Sequence, residues 1–189
     1  MMIDAVKLRD KSEVKKIENK PGYYKWWAER EDFDLILDKL NVNFDTIKDS
    51  VEIKDDLYCI YVGIAVKESV GDRLKWHVND KHTISNVKHG FLSTFRNSIS
   101  SIISDDLLNK EETDEFIDKL KVEYFLSSYD IKSEDAKNEI ETIEKDLLVR
   151  NLYVLNLKDN KHPLSKPIKK ELRALRKEAK TRFLESIEN

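Results

Sequence analysis

Tyr61, Arg73 and His77 lie within the stretch LYCIYVGIAVKESVGDRLKWH, residues 57–77. A hydroxyl, a guanidinium and an imidazole near one end of a single strand–helix unit form a set able to handle a phosphate. A carboxylate far along the chain also stands out. Glu144 falls inside the apolar stripe Ile140, Ile143, Leu147 and Leu148 of a helical pattern, whereas Glu141 and Lys145 lie further round. A carboxylate on a buried face costs several kcal/mol unless positive charge meets it.

The elements that must position these groups follow from periodicity. Residues 57–64 are rich in aromatic and β-branched types, which suit a strand. Strict alternation puts Cys59, Tyr61 and Gly63 on one face and Ile60, Val62 and Ile64 on the other, expected to be the core face. Gly63 leaves room for a ligand or another backbone to come close. A helix is predicted from about Ser69, with Arg73 and His77 four apart on one side and Leu74 and Val78 packing. Pro21-Gly22 opens an earlier strand, 23–27, on which Gly22, Tyr24 and Trp26 share a face.

Between the two strands lies a predicted helix, 32–40, with the stripe Phe33, Ile36, Leu37 and Leu40, then a polar connection. A loop over 81–90 holds His82 and His89, which with His162 lack any regular metal-ligand spacing and read as surface residues. A helix over 91–103 buries Phe95, Ile99, Ile102 and Ile103 and leaves Ser93, Thr94 and Arg96 on a polar, partly cationic flank. An acidic helix (111–120), a strand (122–127) and a helix capped by Ser133 (133–151) precede a basic amphipathic helix at about 167–187.

These residues carry a resemblance. Gly22-Tyr23-Tyr24, Tyr61-Val62-Gly63, Arg73, His77, Glu144 and Asn156, in this order, resemble the signature of GIY-YIG endonucleases across roughly 20–157. Two features depart from the family pattern: 36 residues (25–60) separate tripeptides that usually lie close together, and position 23 is Tyr rather than aliphatic. The resemblance implies a metal-dependent phosphodiester hydrolase acting on DNA, with RNA or branched DNA also open. In that reading Glu144 ligates Mg²⁺ or Mn²⁺, hard ions that prefer oxygen ligands. Arg73 holds the scissile phosphate, Tyr24 and Tyr61 position the attacking water, one of them acting as base in one version, His77 assists proton transfer, and Asn156 orients the phosphate or a catalytic side chain.

Composition sets the frame. In a chain of 189 residues a net charge of −3 argues mildly against a dedicated DNA-coating protein, yet the charge is uneven. Residues 104–146 hold 15 acidic and 6 basic side chains, and residues 158–182 hold 10 basic and 3 acidic. Lys169, Arg173, Arg176 and Lys180 on the last helix, with Gly63, Ser93, Thr94 and Arg96, are therefore candidates to contact nucleic acid; a solvated helix face is the competing reading. One cysteine, Cys59, excludes an internal disulfide, and no membrane span or signal-peptide pattern is present, so a cytoplasmic location is expected. The expected architecture is one α/β (α+β) domain over 1–189: a small, mostly antiparallel central sheet flanked by helices, an insert at about 28–56 and the C-terminal helix. The expected function is a metal-dependent DNA endonuclease, against a non-catalytic nucleic-acid-binding or interaction module keeping the same fold.

Overall fold

A computed structural model describes residues 2–188. Its five strands are β1 (Met2–Asp4), β2 (Gly22–Ala28), β3 (Ile53–Lys54), β4 (Leu57–Ala65) and β5 (Lys121–Leu126). They form one sheet in the order β1-β5-β2-β4-β3, with every pairing antiparallel. The strands carrying Tyr24 and Tyr61, β2 and β4, are therefore direct neighbours, whatever the length of the chain between them. The helices are α1 (Lys11–Val14), α2 (Arg30–Lys39), α3 (Val70–Asn79), α4 (Ile84–His89), α5 (Thr94–Ile103), α6 (Lys110–Lys119), α7 (Glu134–Arg150) and α8 (Ser165–Glu188). None of the described helices is long and apolar enough to cross a membrane.

Simple alternation along β4 does not hold. Trp26 pairs with Tyr61 but Trp27 pairs with Cys59, so Ile60 is an extra residue in β4 and a β-bulge. The bulge swaps faces. Cys59 joins Val62, Trp27 and Leu148 on one side, and Ile60 joins Tyr24 and Trp26 in the main core on the other. Both faces of the sheet are covered, so the expectation of a single core face is corrected. The freed carbonyl of Ile60 accepts the N–H of Leu155 at 3.0 Å, which ties the segment after α7 to the edge of β4.

The long insert is folded onto the domain. Phe33, Ile36, Leu37 and Leu40 are buried in the main core, and Phe33 stacks on Tyr58 of β4 with centroids 4.8 Å apart. Two short edge strands, β1 and β3, were too brief to show a period of two. The expected loop over 81–90 contains α4, capped by the Thr83 hydroxyl and ended by Gly90 in the left-handed conformation (φ 71°). Beside it, α5 buries Ser98, Ser100 and Ser101 along with its apolar stripe. The hydroxyls of Ser98 and Ser101 are satisfied by the carbonyls of Thr94 and Asn97, and small side chains let α6 and α8 approach.

Candidate active site

Tyr24 on β2 lies across the strand from Gly63 on β4. A Cβ at position 63 would sit 2.5 Å from the Tyr24 hydroxyl, so only glycine lets the phenol lie flat over β4. Gly63 therefore makes room for Tyr24. The Tyr24 hydroxyl is 2.7 Å from His77 Nε2, and His77 Nδ1 is 2.9 Å from the Ser93 hydroxyl. Ser93 also caps α5, accepting the N–H of Arg96. A β2 hydroxyl, an α3 imidazole and an α5 cap thus form one chain of hydrogen bonds.

His77 is 2% exposed and lies among Trp26, Tyr61, Trp76 and Phe95. Burial, with the charges of Arg73 and Arg96 added, pushes its pKa down to about 3. The imidazole is neutral at any physiological pH. The phenols are shifted the other way: burial raises Tyr24 well above its ordinary value and Tyr61 to about 12.

A cavity of about 260 Å³ brings the remaining groups together. Tyr24, Tyr61, Gly63, Arg73, His77, Glu144 and Asn156 all line it, joined by Trp76, Thr94, Lys158 and Asp159. Its walls come from β2, β4, α3, α7, the start of α5 and the segment after α7. Arg73 pairs with Glu68 at 2.6 Å through a terminal nitrogen, while its buried Nε has no partner. Glu144 makes no ion pair or hydrogen bond with any described residue. Burial, followed by the charge of Asp159, pushes its carboxyl up to about 7. Thr94 stands at the first position of α5, where its N–H has no intrahelical acceptor and the helix end favours an anion.

Asn156 works on the backbone. Its Oδ1 accepts the N–H of Val62 at 2.9 Å and its Nδ2 donates to the Val62 carbonyl at 2.8 Å, as a paired strand residue would. Its side chain therefore fixes the segment carrying Lys158 and Asp159 against β4.

The residues expected along a nucleic-acid flank separate into two groups. Arg96 is fully buried; it bonds His82 Nε2 at 2.7 Å, the carbonyls of His77 and Val78, and Asp114. It clamps the last turn of α3 and reaches no surface. Ser93 is likewise buried and holds His77. On α8, Lys169 donates to the Asn160 carbonyl and Lys180 to the carbonyls of Val87 and Lys88. Arg173 is exposed and Arg176 half-buried, and neither pairs with a described residue. His82 and His162, expected at the surface, are buried; His89 is exposed.

Lys158, Asp159 and Trp76 escaped the sequence reading. Only their nearness to Asn156 and His77 marked them in advance. Among the described residues no cluster of three His, Cys, Asp or Glu could hold a metal ion. Any ion here would have Glu144 as its anchor and keep most of its waters.

A family model described as the GIY-YIG catalytic domain matches residues 22–178. Neither the curated proteins nor the solved structures gave a match.

Proposed function

The chain belongs to the GIY-YIG family, a nuclease-type family, and from that premise we propose that it is a divalent-metal-dependent endonuclease hydrolysing phosphodiester bonds of DNA. The observation that carries the reading is the unpaired Glu144 in the cavity that also holds Tyr24, Tyr61, Arg73 and His77. A half-buried carboxylate that no lysine or arginine reaches as an ion pair, with Lys158 and Lys145 acting on it only from a distance, fits a hard divalent ion, Mg²⁺ or Mn²⁺, which Glu144 would hold. When bound, such an ion supplies positive charge for the phosphorane-like transition state and acidifies a water.

The chain's own residues do the rest. Arg73 takes the scissile phosphate, its planar fork matching two oxygens and its Nε having no other acceptor. The free N–H groups at the start of α5 and the Lys158 ammonium add donors for the same anion. Burial keeps Tyr24 and Tyr61 protonated, so they orient the attacking water as hydroxyls. His77, neutral and fixed by Ser93, holds the Tyr24 hydroxyl in one direction. Asn156 is a positioning residue that seats the Lys158–Asp159 turn. The insert at 28–56 and the helix at 167–187 would be additions to one catalytic unit over 1–189, working in the cytoplasm with Cys59 buried and reduced.

The test is cleavage of supercoiled plasmid and of duplex, branched and RNA oligonucleotides with Mg²⁺, Mn²⁺ or chelator. DNA should be cut only with metal. Undiminished cleavage in chelator would refute the mechanism, and binding without cleavage under every condition would make the protein a binding module.

A further inference from the structure

A second cavity, again about 260 Å³, lies between α4, α5 and α8. Its polar lining is unusual for this chain. Arg176, Lys177, Lys180, Asn86 and Asn97 contribute, and no Asp or Glu does, although the sequence holds 37 acidic residues. Lys180 is already engaged with α4 carbonyls, and Asn97 accepts the Ser101 hydroxyl through Oδ1, leaving its amide N–H groups for a ligand. Arg176 is the informative member. It is half-buried and has no acceptor among the described residues, and its positive charge works against the burial that holds the Tyr61 phenol protonated. A guanidinium removed from water without an anion is costly, so a position that keeps one has an anion to receive.

The two cavities are linked along α5. Thr94 lines the catalytic one and Asn97 the other. These residues are one helical turn apart, about 5 Å along the axis. Consecutive phosphates on one nucleic-acid strand are spaced on that scale. Resting on the nuclease reading, we infer that Arg176, with Lys177 and the Asn97 amide, forms a second phosphate subsite that takes the phosphate next to the scissile one. The substrate class is thereby narrowed to a strand that continues as a polyanion past the cut on the α8 side. An isolated phosphodiester would leave Arg176 unpaired.

Competition in chelator tests this without cleavage. Thymidine 3′,5′-bisphosphate and thymidine 5′-monophosphate would compete with labelled duplex DNA for wild type and for Arg176→Gln. Wild type should prefer the bisphosphate about tenfold, and Arg176→Gln should bind the two alike. The variant should also show a DNA salt slope shallower by about one unit, the release expected for one phosphate contact. Thermal stability should not fall, as it would if Arg176 were only structural. Equal affinity of wild type for both nucleotides, or a preference that survives in Arg176→Gln, would each overturn the subsite. If the bisphosphate preference holds but no metal supports cleavage, the nuclease reading fails and the subsite stands.

Discussion

Two sets of buried and half-buried charges in this molecule are built on opposite principles. On one side Arg96, Asp114, Arg9, Lys110 and His82 satisfy one another: Arg96 meets Asp114, Arg9 meets Asp114 at 3.2 Å and Asp118 at 2.7 Å, and Lys110 meets Asp114. Arg9 and Arg96 also take the carbonyls that end α3. On the other side Glu144 has no partner, Arg176 has none, and the Nε of Arg73 is buried and unmatched. Burial costs charged groups in both places. The first cluster recovers that cost within the chain, whereas in the second only Arg73 does so, and in part, through its pair with Glu68. Internally paired charge holds a helix in place, and unpaired charge stays available to a ligand.

Exchange of single residues separates the two clusters. Glu144→Gln should lower cleavage on the order of 10³-fold, as expected when one electrostatic element of a transition state is lost. Removing a half-buried, unpaired charge should not lower the midpoint of thermal unfolding; a marked drop would place Glu144 among the structural charges. Arg96→Met should do the reverse. It should cost about 3 kcal/mol of stability, because a buried pair is broken while Arg9 and Lys110 still hold Asp114. Urea unfolding measures this, and a loss below about 1 kcal/mol would show that the cluster is not the clamp described.

Between the clusters sits His77, and acid should act on it. Its folded pKa of about 3 lies below the unfolded value of 6.5, so the unfolded chain binds the extra proton. The contribution of His77 is complete above pH 6.5 and is lost as pH falls from 6.5 toward 3, at about 1.4 kcal/mol per pH unit. Burial shifts His82 in the same direction. Imidazole NMR shifts should show His77 neutral at pH 5, and a protonated ring there would contradict its place in the hydrogen-bond chain.

The grouping of Tyr24, Tyr61, Arg73, His77, Glu144 and Asn156 around one candidate cavity was legible in the sequence, since all six line it. The 36-residue separation proved no obstacle, since β2 and β4 pair whatever joins them. The missing parts depend on contacts between distant elements. Alternation could not reveal the bulge at Ile60, which exists only relative to β2. Helical periodicity on α5 could not say that Arg96 turns inward, because its partner Asp114 belongs to α6. The serines of α5 resemble a solvated flank, yet they are buried because they are small enough to be packed against. Asn156 reads as a turn residue or a phosphate ligand until Val62 is seen beside it.

The smallest effect, and the sharpest use of the contrast, lies on α8. By charge alone Lys169, Arg173, Arg176 and Lys180 are equivalent, and each could neutralise a phosphate. Their surroundings divide them. The ammonium groups of Lys169 and Lys180 are held by backbone carbonyls, where they tie α8 to Asn160 and to the end of α4. Arg173 and Arg176 have no such partner. Each phosphate contact contributes about −0.9 to the slope of log affinity against log salt on duplex DNA. Arg173→Gln with Arg176→Gln should therefore make the slope shallower by about two units. Lys169→Gln with Lys180→Gln should leave the slope within half a unit and lower the unfolding midpoint instead, since carbonyls lose their donors. Glutamine keeps helix propensity close to that of the residues replaced, so neither pair acts by fraying α8. If the lysine pair changed the slope as much as the arginine pair, then both lysines leave their carbonyls for phosphate when DNA binds. The division between paired and unpaired charge would then fail on this helix.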